Sequence, residues 1–225
     1  MSVPTATPTP MTVSVAAPPP APPGRAREWL KTIGRWAATV LMLPWLAVYW
    51  LKVPLVGRDP ALEGSSESLS LIPGVMGKYM RRAFLARVLV ECHPTASIGF
   101  GVLFSKCGAR IEANAYLGPR CHIGLATIGR DAQLAAGTHV TSGAHTHGFD
   151  DLARPIREQE GALTMVHVGA GAWIGSGAVV MADVGRGTII GAGAVVTKPL
   201  PDEVVAAGVP ARVLRSRREG ASAEQ

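Results

Sequence analysis

From Ile98 onward, an aliphatic or aromatic residue returns at nearly every sixth position: Ile98, Phe104, Ile111, Leu117, Ile123, Ile128, Leu134 and Val140. After an interruption the series resumes at Val168, Ile174, Val180, Val184, Ile190 and Val196, and many members are followed by glycine, as in Leu117-Gly118 and Ile174-Gly175. A period of six matches neither the 3.6 of a helix nor the 2 of a simple strand. It suits a solenoid in which each hexad supplies one short strand and one turn. The aliphatic residue then points inward and stacks on its counterpart in the next coil, about 4.8 Å away. Small residues beside it, as in GAGAW and GSGAV, fit a narrow interior and tight corners. Three hexads per coil give four to five coils, a core whose open ends require caps.

The repeat breaks once. After Val140 comes TSGAHTHGFDDLARPIREQEGALTM, an excursion over 146–167 that is rooted at His145 and carries His147, Asp150, Asp151, Arg154, Arg157 and Glu158. A polar loop leaving a rigid scaffold is a favourable place for chemistry. An imidazole titrates near neutrality and takes a hydroxyl proton directly. Asp150, Asp151 and Glu158 are candidates to orient it. His93, His122, His139 and His167 read as structural, and the spacing of His145 and His147 offers no third metal ligand.

The ending WIGSGAVV…VGRGTIIGAGAVVTKPLP…VAAGVPARVLR, with Ser142-Gly143-Ala144-His145 upstream, resembles the hexapeptide-repeat acyltransferases, in particular the branch of maltose, galactoside and colanic-acid-biosynthesis O-acetyltransferases. The likeness covers about half the chain, Ile98 to about Arg215. It implies a mainly β fold, a left-handed parallel β-helix, assembled as a homotrimer. It further implies acetyl-CoA as co-substrate, a sugar or glycan hydroxyl as acceptor, and no metal. The base would be His145, with His147 as rival. Trp173 and Ser176 would lie near the thioester, Ala192 beside the pantetheine arm, and Thr197, Lys198, Arg212 and Arg215 near the phosphates. Two other readings share the solenoid: a non-catalytic scaffold, and a zinc enzyme like the γ-carbonic anhydrases.

The first hundred residues lie outside that likeness. Residues 1–24 are rich in Pro, Ala and Thr and read as a disordered leader. Segment 25–92 reads as helical and membrane-associated, 93–215 as the repeat domain, and 216–225 as a polar, basic tail. Four of the five tryptophans precede residue 51, and an uncharged apolar run extends from Trp36 to Leu51. Sixteen helical residues span about 24 Å, short of the roughly 30 Å hydrocarbon core. Continuing through Lys52 to Val56 reaches a span only if the lysine snorkels. Pro44 should kink this helix and Pro54 end it. A re-entrant helix, a single span and a helix buried in a protein interface all remain open. A second helix is expected over 75–90, with Lys78, Arg81, Arg82 and Arg87 forming a basic face toward anionic lipid or solvent. The net charge of +6 is concentrated there and at the end of the repeat. That placement points to lipid and an anionic cofactor rather than nucleic acid. Because coenzyme A is cytoplasmic, the repeat domain is expected on that side of the membrane. The three widely spaced cysteines, Cys92, Cys107 and Cys121, read as buried thiols.

Overall fold

The structure, a computed structural model, describes residues 25–218. The leader expected over 1–24 and the end of the tail lie outside them. Four helices precede the coils: α1 (Arg25–Leu41), α2 (Leu43–Val56), α3 (Arg58–Ser70) and α4 (Gly74–Val88). The break between α1 and α2 turns the chain by 45°, with Pro44 in the first turn of α2, where its missing N–H costs nothing. Pro54 does not end that helix, which runs on to Val56 and stops at Gly57, φ +85°. Helix α3 lies within the segment 25–92 read as helical, but was not singled out there as an element. Its serines Ser65, Ser66, Ser68 and Ser70 return their hydroxyls to carbonyls one turn back, so a serine-rich stretch is helical and partly buried.

Five full coils and part of a sixth follow, rather than four to five. The first is β1 (Glu91–Cys92), β2 (Ser97–Ile98) and β3 (Leu103–Phe104); the second is β4 (Arg110–Ile111), β5 (Tyr116–Leu117) and β6 (His122–Ile123). The third is β7 (Ala126–Ile128), β8 (Gln133–Leu134) and β9 (His139–Val140), and the fourth is β10 (Val166–Val168), β11 (Trp173–Ile174) and β12 (Val179–Val180). In the fifth, Val184 bridges to Val168, and β13 (Ile189–Ile190) and β14 (Val195–Val196) complete the turn. Leu200 and β15 (Val204–Ala207) begin a sixth, and β16 (Arg212–Ser216) folds back antiparallel on β15. The strands form three parallel sheets: A (β1, β4, β7, β10), B (β2, β5, β8, β11, β13, β15, with β16 at its edge) and C (β3, β6, β9, β12, β14).

Every inward residue of the six-residue series is within 2% of complete burial. In sheet B, Ile98, Leu117, Leu134, Ile174, Ile190 and Ala206 stack in register. Where a glycine follows the inward aliphatic residue, it sits where coils touch. A Cβ on Gly175 would lie 2.4 Å from the Ala192 nitrogen, and one on Gly118 would lie 2.7 Å from the Leu134 carbonyl.

The coils have a polarity that dictates their caps. Along the strands each coil donates its N–H groups to the carbonyls of the next, as in Gly99 N to Leu117 O and Gly118 N to Leu134 O. The N-terminal end therefore presents unsatisfied carbonyls, and the C-terminal end presents N–H groups. Buried carbonyls need donors. Arg81, 2% exposed, supplies them to Ile98 O, Leu69 O and Ile72 O, and the Ser66 hydroxyl serves Phe104 O. The basic face expected for α4 is thus not solvated: Arg81 and Arg82 are buried, while Lys78 and Arg87 stay exposed. At the other end, β16 pairs with the last strand. All three cysteines are free and buried, and burial pushes the Cys92 thiol up to about 12.

Candidate active site

Each coil has three corners, and the residues singled out from sequence fall on two of them. At the corner from sheet C to sheet A, Thr141 N bonds Val180 O and Met181 N bonds Val196 O, so Thr141, Met181 and Thr197 stack in successive coils. The long loop leaves from this column. Its root is fixed: the Ser142 hydroxyl accepts from Leu125 N, the Thr141 hydroxyl donates to Gly143 O, and Gly143 takes φ +91°. The two arms of the excursion then hydrogen-bond to each other, with Ala162 N on His145 O at 2.7 Å and Thr164 N on Ser142 O at 2.8 Å. Gly161 packs on the Thr146 carbonyl so closely that a Cβ there would sit 2.2 Å from it. At the tip, the Gln159 side chain amide donates to Asp151 O and Arg154 O.

His145 therefore projects from a pinned root, exposed, on the corner that carries Thr197 and Lys198 two coils further on. Two coil spacings amount to about 10 Å. His147 is exposed on the same arm of the loop. Among the described residues neither imidazole is hydrogen-bonded to a carboxylate. Asp151 accepts from Ala153 N, and Glu158 pairs with Arg157.

The remaining candidates lie across sheet C. At the corner from sheet B to sheet C, Gly177 N bonds Ala136 O and Gly193 N bonds Ser176 O, so Ala136, Ser176 and Ala192 form an exposed column of small residues. Trp173, 52% exposed, stands on the adjoining outer face of sheet B, in line with Ile189, Val205 and then Arg215 on β16. Arg212 pairs opposite Ala207 at the start of β16, after a turn in which Gly208 takes φ +99°. One chain thus gathers Trp173, Ser176, Ala192, Arg212 and Arg215 on one edge. It gathers His145, His147, Thr197 and Lys198 on the other.

Two solved structures share this architecture. A maltose O-acetyltransferase from Clostridium difficile 630 superposes with a TM-score of 0.57 at 21% identity, over 69% of this chain and 86% of that one. A galactoside acetyltransferase in complex with coenzyme A superposes with a TM-score of 0.54 at 23% identity, over 72% of this chain and 84% of that one. The fold is that of these two acetyltransferases. No protein-family model matches the chain, and no curated protein matches it in sequence.

On this fold, the face of sheet C between the two edges holds a pair that sequence reasoning set aside. His122 and His139 are in register on β6 and β9, with ring centroids 5.9 Å apart, edge to face. Burial, and then the charge of His139, lower the His122 pKa. Both residues directly precede an inward aliphatic residue, Ile123 and Val140. That shared position in successive coils was the available signal. Their neighbours on the face are Leu103, Val179 and Val195, so the surface between the edges is otherwise apolar. Among the described residues no three His, Cys, Asp or Glu side chains are gathered as a metal site.

Proposed function

We propose that this chain is an O-acetyltransferase that moves acetyl from acetyl-CoA to a hydroxyl of a sugar or lipid-linked glycan, with His145 as general base. The observation that carries the reading is the pinned His145, exposed on the same corner as Thr197 and Lys198 in a fold shared with two acetyltransferases. The imidazole takes the acceptor hydroxyl's proton as that oxygen attacks the thioester carbonyl. The C–S bond then breaks, and the proton passes to the departing thiolate. Exposed Lys198, Arg212 and Arg215 supply fixed cations for the phosphates of coenzyme A. The Ala136–Ser176–Ala192 column lets a thin pantetheine arm approach the backbone.

The division of these residues between two edges supports assembly as a homotrimer. A neighbouring copy whose loop corner abuts the Ser176–Ala192 corner completes the set, with Trp173 and Ser176 from one protomer and His145 from the next. Phe149 and Leu152, exposed on the loop at 58% and 99%, give that flap an apolar side to lay on the neighbour.

Membrane association is the third part of the reading. Among the described residues no single helix is long and apolar enough to cross a bilayer, although the bent pair Trp29–Leu41 and Leu43–Val56 passes together. Ala38, Met42, Leu46 and Tyr49 pack back into the protein, while Trp29, Trp36, Trp45, Trp50, Leu51 and Leu55 face outward. A pair held along one side in this way fits a helical module, 25–92, lying in the bilayer interface. The repeat domain 93–215 and the tail 216–225 would then stand on the cytoplasmic side, where coenzyme A is available.

Incubating the purified chain with acetyl-CoA and a panel of sugars and lipid-linked sugars tests the activity. Acetylated product should form, and His145→Ala should lower turnover about 100- to 10,000-fold without lowering Tm. Loss in His147→Ala with turnover intact in His145→Ala would move the base to the second histidine. No product, and no thermal stabilisation by coenzyme A, would leave the scaffold reading. A monomeric mass in mild detergent would overturn the shared cleft.

A further inference from the structure

Where α1 and α4 meet the first coil, a cavity of about 380 Å³ is lined by Lys31, Arg35, Lys78 and Arg82 together with Tyr79 and the hydroxyl of Thr95. Among the described residues no carboxylate lines it. Arg82 is 8% exposed, and its guanidinium lies 5.9 Å from the centroid of the Tyr79 ring. Burial, and then the charge of Arg35, lower its pKa. A buried cation beside the charge of a second one is costly, and an anion placed between Arg82, Arg35 and Lys78 lowers that cost.

A second cavity, of about 450 Å³, adjoins the first and shares Tyr79 as its wall. It is apolar, lined by Leu30, Gly34, Ala37, Leu41, Val75 and Met76. Leu30, Leu41, Val75 and Met76 are each more than half exposed, so this groove opens on the outer helical surface. A cationic pocket at one end and an apolar groove at the other match an amphiphile with an anionic head and a hydrocarbon tail.

We propose that this paired cavity is a binding site for one phosphate-bearing lipid, its phosphate among Arg35, Lys78 and Arg82 and one chain in the groove along α1. The site rests on the reading that the helical module meets a bilayer, and it names the lipid that the module selects there. It stands at the N-terminal end of the coils, whereas the proposed coenzyme A residues occupy the fourth coil and beyond. Lipid capture therefore anchors and orients the enzyme without entering the acyl-transfer site. The neighbouring arginine, Arg81, turns the other way and is consumed by a carbonyl of the coil end, Ile98 O, and by Leu69 O and Ile72 O where α3 gives way to α4.

The test is vesicle co-sedimentation of the full chain, with phosphatidylcholine alone and with phosphatidylglycerol added, followed by native mass spectrometry from detergent. The expected result is preference for the vesicles containing phosphatidylglycerol and one phosphatidylglycerol retained per protomer. The double variant Arg35→Gln/Lys78→Gln changes two accessible side chains and leaves buried Arg82 in place, so it should fold. It should lower affinity for the anionic vesicles about 30-fold. Equal binding to both vesicle types, or a double variant that binds as the native chain does, overturns the pocket and leaves the membrane reading intact. Displacement of the lipid by inorganic phosphate at equal concentration also overturns it, since the groove would then contribute nothing. Failure to bind either vesicle sinks the membrane reading and the site together.

Discussion

The coils and the helical module use the same kind of residue in opposite ways. In the coils, Ile98, Leu117, Leu134, Ile174 and Ile190 are at most 1% exposed and each packs on its counterpart above and below. In the helices, Leu30, Leu51 and Leu55 are 69%, 73% and 81% exposed, and Trp29 and Trp36 stand out beside them. A solenoid fills its interior with one residue per strand, so its apolar count matches its core. The helical module has more apolar residues than the coil end can cover. Met42, Leu46, Tyr49, Leu62, Leu69 and Phe84 take up the available contact, and the remainder form an outward surface. An apolar surface of this extent on a module that also caps the core marks a place of contact.

Breaking the cap should have the largest effect on stability. Arg81→Met removes the donors to Ile98 O and Ile72 O, each costing about 1–3 kcal/mol when left buried and unpaired. Chemical denaturation should show the whole chain destabilised, since the helices and the coils share one cluster of buried residues. Leu134→Ala opens a void in a stacked column and should cost about 2–5 kcal/mol by the same measurement. The outer face should behave in the contrary way. Leu51→Ser with Leu55→Ser should change stability in detergent by less than about 0.5 kcal/mol, yet shift the protein from the vesicle pellet to the supernatant. Should those two cost as much as Leu134→Ala in detergent, the outer face is covered within the protein's own assembly, and the contrast between the regions dissolves.

The smallest effect concerns pH. The folded state holds His122 below its ordinary pKa, through burial and the neighbouring His139. As pH falls through the unfolded histidine pKa of about 6.5, the unfolded chain takes up a proton that the folded one refuses. Stability is therefore full above that value and declines as pH falls toward the lower folded pKa. His122→Asn should flatten the fall of Tm between neutral and mildly acidic pH. A slope unchanged in that variant would place the titration elsewhere.

The six-residue spacing was sufficient to predict the coils, because only one side of each short strand can face a narrow interior. Its glycines were legible for a related reason: a Cβ at Gly175 or Gly118 would meet backbone. The position of His145 could be read from the interruption of the repeat. Helix α3 could not, because a segment with four serines has little helical pattern, and its hydroxyls fold back on carbonyls only once the element is packed. The coil count came out low because the first strand, Glu91–Cys92, and the last coil lie outside the regular spacing.

By itself the sequence determined the coil, since inward aliphatic residues at a fixed step have no other common solution. Only the tertiary structure decided what the open ends require. The direction of the inter-coil hydrogen bonds leaves carbonyls at one end and N–H groups at the other, and that asymmetry is a property of stacked strands rather than of any segment. It draws Arg81 inward and leaves Arg82, one position on, beside a cavity. It also sets His145 and Ser176 on separate edges, because which corner a residue occupies depends on how the whole turn closes.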